Sequence, residues 1–179
     1  MKDKSLVLQI LLGIIILTTV GDLIGDLRDY NLETIKSLKA WNYEKYEERQ
    51  SLFNLRSKPW LEFSYHSLTL TTLAFKIYLL LGFYYLICVF HSFEKEKFFS
   101  PAIISYFKKA GNVFLTYCIS VFILNAIYYS TFYDKNITKH FYKFDEGYTL
   151  LFACGIAFYA FAEIFKKAQT LQEENDLTI

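Results

Sequence analysis

No charge of one sign predominates: 19 Lys and Arg stand against 18 Asp and Glu, for a formal net charge of +1. A basic stripe able to hold a phosphate backbone is not expected, so direct nucleic-acid binding is set aside. Cysteine is scarce, and Cys88, Cys118 and Cys154 fall in three different apolar runs with no CxxC spacing. They read as small buried residues rather than a disulfide framework or a metal site, which would need convergent His or Cys partners at one depth. The three histidines, His66, His91 and His140, lie at run ends or in connectors and supply no such set. A Gly-rich phosphate loop, a nucleophile elbow, an HExxH pair and a His–carboxylate constellation are all missing. On these grounds neither an enzyme, nor a cofactor, nor a metal is expected.

What the chain does have is apolar length. Of its 179 residues 54% are hydrophobic and 20% aromatic, and its mean hydropathy is +0.22. These values suit several spanning helices joined by one polar loop. The expected fold is all-α, an integral membrane four-helix bundle forming one domain. Its spans cover about 5–25, 68–91, 110–133 and 148–167, with a polar loop at 26–66 and a tail at 168–179.

The first run, Ser5 to Gly21, is uncharged and about long enough to cross hydrocarbon. A signal peptide is the rival reading; the long core and the absence of a small-x-small site around Thr18–Asp22 favour a retained anchor. In the polar loop Asn31 can cap a helix with Leu32, Ile35, Leu38 and Trp41 at helical spacing, and Ser57-Lys58-Pro59-Trp60 breaks it. That segment reads either as a connector on the membrane surface or as a ligand-binding lid. Trp60, Phe63 and Tyr65 then supply interfacial aromatics.

Lys76 is the firm charge of the second span, either snorkelling or paired with Asp22 or Asp26 of the first; a transport role is the alternative. Ser100 followed by Pro101 is a helix start, and Ile103, Ile104 and Phe107 give the stripe of an interfacial half-helix leading into the third span. Asn125 reads first as an interhelical hydrogen-bonding residue, and a small polar cluster with Lys76 and Asp22 is the alternative. Asn136-Ile137-Thr138 matches the glycosylation pattern, a triplet common by chance.

The fourth span takes up Glu163 and continues without Gly or Pro into the tail. Ala153, Ala157 and Ala160 suggest a small-residue face for a close neighbour, and Glu163 is expected to meet Lys4, Lys108 or Lys109 in an ion-pair collar. Four spans put both termini on one side. The short connectors place more Lys there, which favours termini in the cytoplasm of a multi-pass cell-membrane protein.

The ending Glu163-Ile164-Phe165-Lys166-Lys167-Ala168 with Leu171-Gln172-Glu173-Glu174-Asn175-Asp176-Leu177-Thr178-Ile179 resembles that of a bacterial domain-of-unknown-function family (number 2975). Its members are small four-span membrane proteins closing on an acid-x-acid-Leu-Thr-aliphatic tail. Phe99-Ser100 also resembles the family, although its usual glycine and proline ahead of that step are replaced by Lys95-Glu96-Lys97, with Pro101 after it. The resemblance implies a neighbour of the helix-turn-helix regulator type and carries no site residues.

The expected function is that of an interaction or regulatory membrane protein. Ile164, Ala168 and Leu171 recur at spacings of four and three, a stripe that another helix could cover. The candidate partner-binding set is Ile164, Ala168, Leu171, Glu173, Glu174, Asp176 and Leu177. The bland alternative is that the stripe packs on the chain's own Ile103–Phe107. Membrane lipid, a cytoplasmic protein such as the regulator, and a second copy of the chain are the partners considered. The other class is a small transporter or ion pathway using Asp22, Lys76 and Asn125, with Glu163 as a further intramembrane polar residue.

Overall fold

A computed structural model describes residues 2–29, 59–94, 100–132 and 146–177. They form four α-helices: α1 (Lys2–Asp29), α2 (Pro59–Glu94), α3 (Pro101–Phe132) and α4 (Glu146–Leu177). Each is long and apolar enough to cross a membrane, and the protein is an all-α, multi-pass membrane four-helix bundle. The Asn31-capped helix and the Asn136 triplet lie outside the described residues.

Both described prolines sit at helix starts, where a missing N–H costs nothing. At α3 the Ser100 carbonyl accepts from the Ile103 and Ile104 amides at 3.1 and 3.4 Å, and the Ser100 hydroxyl accepts from Ile103 N–H at 3.5 Å. The stretch expected as an interfacial half-helix is the beginning of α3 itself, which runs unbroken from Pro101 to Phe132. Ile103, Ile104 and Phe107 are buried inside the bundle rather than laid on its surface. Likewise Trp60, Phe63 and Tyr65 belong to the first turns of α2.

The helices pack in chain order, α1 on α2, α2 on α3 and α3 on α4, while α1 and α4 are not packed along one another. This leaves a seam between the first and last helices. The central helix α3 is buried on two sides. Ile103, Phe107, Ala110, Phe114, Tyr117 and Val121 recur at spacings of four and three, and Gly111 and Cys118, seven residues apart, both meet α4. Such spacing keeps a seam facing its partner over several turns.

Glycine sets the closest approaches. A Cβ on Gly82 would lie 2.5 Å from Phe114 Cε1, and one on Gly111 would lie 2.9 Å from the Gly155 carbonyl oxygen. Phe114 then stacks edge-on against Phe83 at 5.3 Å and tilts against Phe158 at 5.6 Å. The small-residue face of α4 differs from the alanine face expected. Gly155 and Ala162 carry it, whereas Ala153 and Ala160 are exposed and Ala157 is half-buried. The alanines recur at helical spacing, yet the spacing alone does not say which side of the helix α3 occupies.

α1 is the least buried helix. Ser5, Leu12 and Leu23 form its inward line, and Ser5 Oγ donates to the Phe90 carbonyl of α2 at 2.9 Å. Its other sides expose Leu6, Ile10, Ile14 and Leu17, as expected of a helix facing lipid.

Candidate functional sites

The Ser5–Phe90 hydrogen bond and the Phe93–Phe165 ring contact at 5.9 Å gather the start of α1, the end of α2, the start of α3 and the core end of α4 at one terminal end. The opposite, distal end holds the start of α4 and the end of α1. Polar chemistry is concentrated at these two levels.

At the terminal end Lys108 Nζ meets Glu163 Oε1 at 3.0 Å, which chooses one of the three lysines offered by the sequence. Both side chains are about half exposed, and Lys109 Nζ turns instead toward α2, over the Tyr85 and Tyr106 rings at 5.6 and 6.0 Å. This is the collar expected where helices leave hydrocarbon. Beyond it, Phe165 is the last α4 residue packed on a core cluster, stacked on Phe107 at 5.5 Å. The helix nonetheless continues through Leu177, roughly 18 Å further at the usual rise.

Ile164, just before Phe165, is 60% exposed; on the extension Leu171 is 65% exposed, Ala168 is half-buried, and Leu177 is exposed on another side. The stripe does not pack on Ile103–Phe107, which Phe158, Ala162 and Phe165 cover instead. Glu173 and Glu174 are exposed, with Gln169 Nε2 donating to Glu173 Oε1 at 2.8 Å one turn away. The Asp176 side chain lies outside the described residues.

At the distal level Lys76 forms an ion pair with Asp26, both side chains largely buried. Next to it is a cavity of about 280 Å³ bordered by all four helices, with Asp22 from α1, Lys76 and Leu79 from α2, Tyr117 from α3, and Tyr148 and Leu151 from α4. Tyr117 is 4% exposed and its ring lies 6.2 Å from that of Tyr148. Cys118 Sγ donates to the Tyr148 carbonyl at 3.5 Å and ties the first turn of α4 to α3. The cavity therefore unites Asp22 and Lys76, while Asn125 is exposed on α3 and takes no part in it. Tyr117 and Tyr148 are the residues that sequence patterning passed over. Their signal was a phenol inside or at the edge of an apolar run, where its hydroxyl must find a polar neighbour.

The three cysteines are free, Cys118 buried and Cys88 and Cys154 half-buried. No curated protein and no solved structure matches the chain. One family, described as a protein of unknown function (DUF2975), matches residues 34–179, which take in α2, α3, α4 and the tail that first suggested it. With that match over most of its length and four helices fit to cross a membrane, the chain belongs to the DUF2975 family.

Proposed function

We propose that the protein is an interaction or regulatory protein of the cell membrane, with both termini in the cytoplasm and its α4 extension as the partner-binding element. One observation carries this reading: α4 persists as a helix well past its last core contact while exposing Ile164 and Leu171 on one side. An isolated helix of three turns is marginal in water, and an apolar stripe on it gains most when a second helix or groove covers it. The acidic residues Glu173 and Glu174 are exposed on the same extension, Glu174 on the side nearer the stripe, and favour a partner with a basic rim. A helix-turn-helix regulator is the partner class that the family resemblance suggests.

Truncation after Lys167 tests this. The tagged, detergent-solubilised full chain is expected to co-purify a cytoplasmic partner, and the truncated chain to insert normally and lose it. Unchanged partner recovery from the truncated chain overturns the proposal.

A further inference from the structure

Among the described residues the distal cavity carries one carboxylate more than it has cations to match. Asp26 is taken by Lys76, whereas Asp22 has no ion-pair or hydrogen-bond partner among the described residues. On a helical wheel Asp22 lies about 100° from the Ser5–Leu12–Leu23 line that faces α2, on the same side as Asp26. It therefore stands at the mouth of the cavity rather than in the α1–α2 interface. Asp22 is exposed there, so its carboxylate is open to a cationic ligand entering the cavity.

We propose that this cavity binds a small organic cation, a primary or quaternary ammonium, with Asp22 as its counter-charge and the Tyr117 and Tyr148 rings as its aromatic wall. Aromatic faces attract ammonium groups through the ring quadrupole, most strongly where water is excluded. Leu79 and Leu151 supply apolar surface for the carbon substituents. The donor set suits a hard metal ion poorly, since Ca²⁺ takes six or more oxygen ligands. Among the described residues no group of three His, Cys, Asp or Glu is placed to hold a metal. An anion is disfavoured because the Lys76 ammonium already faces Asp26. A volume of about 280 Å³ leaves room for an ammonium group with short substituents. The inference concerns binding alone, needs no movement across the membrane and is independent of the tail.

The test uses the full chain in detergent, tetramethylammonium as probe, and saturation-transfer NMR on its methyl protons at fixed ionic strength. Saturable binding is expected, at least ten-fold weaker in Asp22→Asn, several-fold weaker in Tyr148→Leu, and unchanged on truncation after Lys167. tert-Butanol, of the same shape without the charge, should not bind over the same range. Leu151→Trp fills the cavity with Asp22 intact and should abolish binding, which keeps the test decisive if Asp22→Asn fails to fold. Absence of saturable binding, an Asp22→Asn affinity within two-fold of wild type, or equal binding of tert-butanol overturns the proposal.

Discussion

At the scale of single residues the Lys76–Asp26 pair governs the distal layer. Lys76 is the only Lys, Arg, Asp or Glu between Phe63 and Phe93, and its partner comes from a different helix. Removing one member leaves the other charge in an apolar setting, whereas removing both does not. Lys76→Ala is therefore expected to cost roughly 2 kcal/mol, below the range for fully buried pairs because both side chains keep some exposure. The double change Lys76→Met with Asp26→Leu should recover most of that loss. Thermal unfolding in detergent distinguishes the two; equal losses would show that the pair's charge is not the source of the effect. The sequence offered Asp22 and Asp26 alike as partners, because depth is readable from position along a helix but rotation about its axis is not. The same limit explains Asn125: its neighbours Ile123, Leu124, Ala126 and Ile127 are apolar on every side, so nothing in the pattern says which face meets α2.

At the scale of elements the contrast is between α3, buried on two sides, and α1, buried along one line. Glycines on the two kinds of helix should respond in opposite ways. A methyl group added at Gly82 would overlap the ring of Phe114, which is 2% exposed and held between Phe83 and Phe158. Gly82→Ala is expected to destabilise by about 1–3 kcal/mol through overpacking. Gly21 has open space around its Cβ position, so Gly21→Ala should be neutral or stabilise by up to about 1 kcal/mol from the better helix propensity. Unfolding of both variants under the same conditions checks the pair of signs. The existence and order of the four helices were legible, because apolar runs of this length and the prolines at 59 and 101 mark them plainly. Continuity was harder. Residues 101–110 resemble a surface half-helix in composition, and they join the bundle because Val89 and Ala162 are there to cover Ile103 and Phe107.

For the whole molecule, orientation is the property that controls where the tail can act. The proposed arrangement predicts that Thr170→Cys, on the exposed part of α4, reacts with a membrane-impermeant maleimide only after cells are permeabilised. The unsubstituted chain gives the background from its three native thiols, of which Cys118 is buried. Labelling of intact cells would reverse the orientation and remove the cytoplasmic partner from consideration. Membrane class and four-span layout followed from composition and run length alone, but the distal cavity did not. It exists only where four helices from separate parts of the chain reach one level, a coincidence that no local pattern encodes.

That each helix packs mainly on its neighbour in the chain also bears on how the protein is made. Contacts between successive helices span less of the chain than contacts between distant ones, which makes them entropically cheaper to close. As synthesis proceeds, α2 can dock on α1, α3 on α2 and α4 on α3 without waiting for a distant partner. The layer of Asp22, Lys76, Tyr117 and Tyr148 closes when the first turns of the final helix arrive, and the Lys108–Glu163 pair and the Phe107–Phe165 contact follow as the rest of that helix docks on α3. The cavity is thus bordered by all four helices only once the fourth has been inserted, and its presence reports that the bundle is whole.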